Sequence, residues 1–379
     1  MLAYCTNVHA GSDLPQTLAN LQRYALDVQA RLAPGQPMGL GLWLAAAAAR
    51  QCLTESRLAA LRDWLAERQL LPFTFNGFPY GDFHQPVVKH AVYEPTWWQA
   101  ARLEYTRDLV TILHAILPAG LTGSISTLPI GWGTPTREQF QLAARQLRQL
   151  ADELYQLETE TGRLIHLDLE PEPGCTLDTA SDVVAFFRDY LWQHGDEERL
   201  CRYVRVCHDV CHAAVMFEEQ ADVWATYRQA GICVGKVQVS AAVGLDLSCL
   251  AEPAQAAALE QLRGFIEPRY LHQTLVRRVD TPQPLFYEDL PQALAEPLAA
   301  EYRVHFHVPI YLERLGHLQV LQRPIIDCLQ AIQPGECEHF EVETYAWSVL
   351  PPEWQVAELA EGIAREMRWL REHVGPDML

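Results

Sequence analysis

Glutamates, an aspartate and histidines stand at the ends of short hydrophobic runs in this chain, and those side-chain types at that spacing can hold a divalent ion or move a proton. In HLDLEPEPG at 166–174, His166, Asp168 and Glu170 alternate with Ile165, Leu167 and Leu169. A strand's period of two puts the polar set on one face and the apolar set on the other. Pro171 and Gly174 end the run, since proline offers no ladder donor and glycine opens a turn, so Glu170 stands at a strand end. Glu172, two residues on, reads equally as part of a surface acidic loop. Asp209 and His212 form D-x-x-H after another run, a spacing at which one turn can offer both side chains to a single ion. Lys236, Gln238 and Ser240 alternate with Val237 and Val239, and Gln238 could ligate through its carbonyl oxygen or bond a substrate hydroxyl. His305 and His307 share one face of VHFHVPIY, which suits an ion or a substrate as well as it suits satisfied core histidines. Glu343 ends the last such run, FEVETYAW, and is the expected ligand there. Cys207, His208, Cys211 and His212 lie close together, but no second cluster supplies the matching pair of a zinc knuckle.

These residues need a scaffold that turns several polar strand faces toward one place. Strand-like runs occur at 3–9, 38–43, 72–77, 123–131, 163–170, 203–209, 234–240 and 339–345, with helical spacing between them. The segment 14–32 repeats apolar residues at helical intervals, and 136–158 opens with Thr136 and a glutamate soon after, close to a capping signal. Eight strands alternating with helices predict an α/β fold, a single (β/α)8 TIM barrel over 1–379, whose polar strand faces line the interior. The alternation breaks over 246–335. That stretch contains a hairpin-like pair, HQTLVRR and PLFYEDL, and the run RVHFHVPIY. It is expected to be an insertion over the C-terminal face of the barrel.

Composition limits the function classes. At 42.9 kDa and 49% hydrophobic residues the chain can bury a large core, and one barrel of about 250 residues with insertions fits better than two small domains. A balance of 29 basic against 48 acidic residues gives −19, which opposes nucleic acid and anionic membrane as partners. Ten scattered cysteines and an N-terminus without a basic-then-apolar leader predict free thiols and a cytoplasmic location. No apolar run of about 18 residues is present to insert into a membrane.

The order of a glutamate after the fifth strand, D-x-x-H after the sixth, a polar ligand on the seventh and a glutamate on the eighth resembles the xylose isomerase-like TIM-barrel superfamily. More closely, YCTNVHAGSDLPQTLANL, FTFNGFPYGDFH, Val92 to Trp97, GSISTLPIGW, HLDLEPEPG, CHDVCHAAVMFE and RVHFHVPIY are similar to the EboE family of metabolite-traffic proteins. The superfamily resemblance implies a divalent ion (manganese, zinc or magnesium) on Glu170, Asp209 and Glu343, with His212 touching substrate or metal. The two glutamates would also handle protons in isomerisation or epimerisation. The chain departs at the seventh strand, where Gln238 stands in place of the usual histidine. Either His305 or His307 replaces the missing ligand, or the amide serves, or the ion is lost.

The leading expectation is an isomerase or epimerase of a polyhydroxylated small molecule, a sugar or cyclitol. Lys236 would stabilise an enediolate oxygen, Asn7, His9, Asn76 and His84 would contact hydroxyls, and Trp132 and Trp347 would stack on a ring. The alternative is a non-catalytic carrier of a metabolite precursor moved from cytoplasm to periplasm. The EboE resemblance implies operon partners that include a prenyltransferase-like membrane protein. A hydrolase like endonuclease IV fits the acidic charge poorly.

Overall fold

The computed structural model describes residues 1–375 except Val279 and Pro282. Eight parallel strands form one sheet: β1 (Leu2–Tyr4), β2 (Met38–Leu42), β3 (Leu70–Asn76), β4 (Gly123–Thr127), β5 (Ile165–Leu169), β6 (Val204–Asp209), β7 (Val234–Val239) and β14 (Phe340–Val342). Their order is β1-β14-β7-β6-β5-β4-β3-β2, and a parallel bridge from Cys5 to Gly41 joins the two ends into a nearly closed barrel. Every strand-like run expected for the barrel contributes one of these strands. Helices pack outside them. The segment 14–32 is helical throughout, with one wide turn at Leu21–Ala25. The helix Arg137–Thr161 starts on a capping box whose partner for Thr136 is Gln139, not the nearer Glu138.

The six strands between β7 and β14 are β8 (Ala241–Asp246), β9 (Thr274–Arg277), β10 (Leu285–Tyr287), β11 (Glu301–Val308), β12 (Arg314–Leu315) and β13 (Leu318–Val320). They form a second, antiparallel sheet in the order β10-β9-β11-β8-β13-β12. Its first strand begins at Ala241, ahead of the expected boundary at 246, because only Ser240 separates the barrel strand β7 from β8. The hairpin-like pair is β9 with β10. β11 pairs with β8 on one side and β9 on the other, and its register against β8 shifts between Val304 and Val308. A shift of that kind re-aims side chains, and it covers His305, Phe306 and His307. Phe306 packs against Phe265 and His272 while the two histidines meet the barrel.

The barrel interior is polar over much of its depth. At the N-terminal end His166 Nδ1 and Asp168 Oδ1 stand 2.6 Å apart, fully buried. Burial drives His166 well down and Asp168 well up, so a hydrogen bond between near-neutral groups holds the pair. Above them Lys236 Nζ meets Glu341 2.5 Å away with both side chains at 0% exposure. Glycines make the room: a Cβ on Gly41 would lie 1.4 Å from Glu341 Oε1, and one on Gly235 2.2 Å from Asp168 Oδ1.

Candidate metal centre and pocket

Above that ion pair, at the C-terminal ends of the strands, a pocket opens whose lining includes Asn7, Asn76, Tyr93, Glu170, Glu172, His212, His305, His307, Glu343 and Tyr345. Glu170 follows β5, where its amide donates to Thr127 O and fixes its height above the barrel. Asp209 ends β6 and caps the helix Val210–Val215, with Oδ1 accepting from the His212 amide at 3.0 Å. The Ser240 hydroxyl donates to the same oxygen at 2.7 Å. Residue 240 is thus both the hinge into the second sheet and a support for Asp209. Glu343 follows β14, and its Oε1 accepts from Asn7 Nδ2 at 2.7 Å and Asn76 Nδ2 at 2.6 Å.

One carboxylate oxygen each from Glu170, Asp209 and Glu343 lies within 4.8 Å of the other two, all buried. Glu170 Oε2 and Asp209 Oδ2 have no hydrogen-bond partner among the described residues, and neither does His307 Nε2. His307 Nδ1 donates to the Glu343 carbonyl at 2.6 Å, which leaves Nε2 as a bare lone pair 3.8 Å from Asp209 Oδ2. Buried polar groups without partners cost about 1–3 kcal/mol each. The carboxylate trio, with His307 Nε2 beside Asp209, offers a donor set that suits a divalent cation, and a carboxylate-rich set suits a hard ion.

The electrostatics agree. Burial, then repulsion by Glu343 and Asp209, raises the Glu170 carboxyl well above its ordinary range, and burial followed by Asp209 and Glu341 does the same to Glu343. Burial pushes the Asp209 carboxyl up, while the Ser240 hydroxyl and the His212 amide, both donating to Oδ1, favour its charged form. His307 is lowered to about 4, chiefly by burial, and so stays a neutral donor near pH 7.

No family model and no curated protein matches the chain. A solved xylose isomerase-like TIM barrel protein from Mycobacterium smegmatis, in complex with magnesium, aligns over 100% of this chain and 97% of its own at 12% identity and a TM-score of 0.55. The fold is that of the xylose isomerase-like TIM barrels. The probable 3-DHS dehydratase AsbF from Bacillus anthracis aligns over 98% of both chains at 11% identity and TM-score 0.49, and the IolI protein with a bound zinc atom over 98% and 97% at 10% identity and 0.44. No relative establishes the narrower EboE relationship.

In this barrel, Glu170, Asp209, Glu343, His212, His305, His307, Asn7 and Asn76 come together around the pocket. Asn7 and Asn76 spend their amide hydrogens on Glu343, so they position that carboxylate as well as line the cavity. His84 acts further back, through 2.6 Å contact with the Asn7 carbonyl. His9 lies outside the lining, stacked on Tyr24 and bonded to Tyr4 Oη, with its pKa lowered to about 3 by burial. Lys236 also stays outside, committed to Glu341 one layer down, which removes it from reach of a substrate oxygen. Gln238 is fully buried, in register with Asp209 and Glu341 on the neighbouring strands, with neither amide atom partnered among the described residues. Trp132 packs behind the pocket on Tyr93 and His90, and Trp347 sits against Gly362. The aromatic rings that do line the cavity include Tyr93, Tyr270 and Tyr345. Tyr345 stands two residues beyond Glu343, a spacing that could have found it.

Proposed function

We propose that this chain is a metal-dependent isomerase or epimerase of a neutral, hydroxyl-rich small molecule such as a sugar or cyclitol. The observation that carries the reading is the trio Glu170, Asp209 and Glu343, buried within 4.8 Å of one another, with Glu170 Oε2 and Asp209 Oδ2 left without a hydrogen-bond partner among the described residues. These three would hold the ion, with His307 Nε2 as the nitrogen donor near Asp209. A bound divalent ion supplies Lewis acidity to a neighbouring oxygen of the ligand, and magnesium in the Mycobacterium smegmatis protein is consistent with an oxygen-rich set. Glu170 and Glu343 are the groups suited to take a proton from carbon and return it, because both carboxylates face the pocket and burial raises their proton affinity above that of an ordinary glutamate. Asn7 and Asn76 fix Glu343 Oε1 and orient the carboxylate for that transfer. Among the described residues Lys89 is the one lysine or arginine in the lining, and it is paired with Asp289 at 2.6 Å, which disfavours a phosphorylated or carboxylated substrate.

The finer reading, a place in an EboE-type metabolite-traffic set beside a prenyltransferase-like membrane protein in the cytoplasm, is supported by the sequence motifs. No helix among the described residues is long and apolar enough to cross a membrane. Gln238 at the strand that usually supplies histidine favours a second reading, a carrier that binds without turnover.

Elemental mass spectrometry on protein purified without chelator tests the proposal. A near-stoichiometric divalent ion is expected in the wild type and its loss in Asp209→Ala. Sugar and cyclitol isomerisation assays on the loaded protein should then show a fall of about 10²–10⁴-fold in Glu343→Gln. Metal without turnover across such substrates turns the reading to the carrier, and absence of metal after incubation with manganese, zinc or magnesium ends the enzyme proposal.

A further inference from the structure

The pocket over the carboxylate trio has two unlike parts. Its carboxylates and imidazoles come from the C-terminal ends of the barrel strands and from β11, whereas Phe78, Pro79, Phe83, Val88, Val92 and Leu271 form an apolar wall, five of the six from the connection that follows β3. The backbone of that wall is largely spent on other partners. The Gly77 and Phe78 carbonyls accept from Arg102 Nη1 at 2.9 and 3.1 Å, the Pro79 carbonyl from Trp43 Nε1 at 3.0 Å, and the Phe83 carbonyl from Tyr270 Oη at 3.1 Å. The Phe78 amide donates to Asn76 Oδ1 at 3.1 Å and the Val88 amide to the Arg269 carbonyl at 2.7 Å. Polar groups at the wall's margin are committed as well: Tyr93 Oη donates to Glu172 Oε1 at 2.6 Å, and Gln273 Nε2 donates to the same oxygen at 2.8 Å. A free sugar or cyclitol carries hydroxyls all round its ring, and those turned to this wall would be buried without partners, which is costly.

The wall continues beyond the pocket. Pro79, Phe83, Val88 and Val92 also line a second, open cleft of about 170 Å³, which Tyr80 and Ala91 extend. An apolar cavity of about 150 Å³ is enough to hold one benzene ring. Asp82 and Glu94 stand exposed at the cleft and oppose an anionic occupant. The wall is held in place by Arg102, Trp43 and the Lys89 ion pair with Asp289, so little ordering is needed to bind against it.

We infer that the substrate is bipartite: a neutral, hydroxyl-rich head over the carboxylate trio, joined to one uncharged apolar substituent of about the size of an aromatic ring that lies along the wall toward the cleft. Phe83 and Val92 are its specificity-determining residues. The inference rests on the polyol reading of the pocket and adds the class of molecule that carries the polyol.

Benzyl alcohol, one ring with one hydroxyl, is the probe, and the full chain loaded with magnesium is the sample. Saturation-transfer NMR should show transfer to the ring protons in the wild type. Val92→Asp, at a half-buried position of the wall, should lower that transfer about tenfold with circular dichroism and metal content unchanged. Val92→Thr is nearly isosteric, serves where the aspartate does not fold, and should lower it by about half. No transfer in the wild type, or transfer that neither substitution reduces, overturns the inference. Calorimetric titration with aldohexoses and their phenyl glycosides gives the second reading: a hexose that binds should gain about tenfold as its phenyl glycoside, and a free hexose that binds as tightly as its glycoside overturns the inference while leaving the polyol reading intact. Transfer that Val92→Asp removes, in protein that retains no divalent ion, supports the apolar subsite and ends the polyol reading, so the two fail separately.

Discussion

Gln238 concentrates the question of how this site departs from its sequence expectation. Its amide is fully buried, pairs in register with Asp209 and Glu341, and has no partner for Oε1 or Nε2 among the described residues. An amide so placed costs about 1–3 kcal/mol per unsatisfied group, a cost that a ligand on its carbonyl would offset in part. Gln238→Leu should therefore raise the melting temperature of metal-free protein while lowering divalent-ion affinity tenfold or more. Calorimetric melting and metal titration on the same variant read the two effects. Unchanged affinity would leave the amide outside the coordination set, with His307 as the donor that the insertion adds.

At the scale of elements, the barrel strands were legible because each keeps a period of two with apolar residues facing the helices, as in Leu167 and Leu169 against Asp168. The site was legible as far as it sat on those strands or at their ends: Glu170, Asp209 and Glu343. It was less legible where the chain leaves regular periodicity. Glu172 lies past Pro171, so alternation no longer says where it points, and Gln273 lies in the insertion, where nothing local ties it to a glutamate a hundred residues away. Trp347 stands in the short helix Tyr345–Val349, whose turn sends Tyr345 to the pocket and the tryptophan toward Gly362. Small residues carried a signal of their own. Gly41 on β2 lets the Glu341 carboxylate occupy space that any Cβ would take, and Glu341 cannot retreat because Lys236 holds it. Gly41→Ala should destabilise the protein by about 1–3 kcal/mol through overpacking, or more if the ion pair breaks, since a stranded buried charge costs about 3–5 kcal/mol. Denaturant unfolding measures it, and a variant as stable as wild type would mean that the barrel relaxes at β2.

For the whole molecule, the raised acids make stability depend jointly on pH and metal. Glu170 and Glu343 are held above the ordinary glutamate value of 4.5 in the folded chain, so the folded state binds protons more tightly than the unfolded one. Their contribution is complete below that value and is lost as pH rises through the raised folded values, where the two glutamates must ionise beside Asp209. Metal-free protein should consequently melt at progressively lower temperature as pH climbs from acid toward neutral and beyond. A divalent ion takes the place of those protons, so its affinity should rise over the same interval, and at one hundred times its dissociation constant it should add about 2.7 kcal/mol. Glu366, raised to about 8 by burial and bonded to Thr344 and to the Ile310 amide, adds a second decline near that pH that metal does not correct. Thermal melts across pH with and without manganese separate the two: the metal-sensitive part should vanish in Asp209→Ala and the alkaline part in Glu366→Gln. A pH profile identical with and without the ion would mean that the three carboxylates hold no cation.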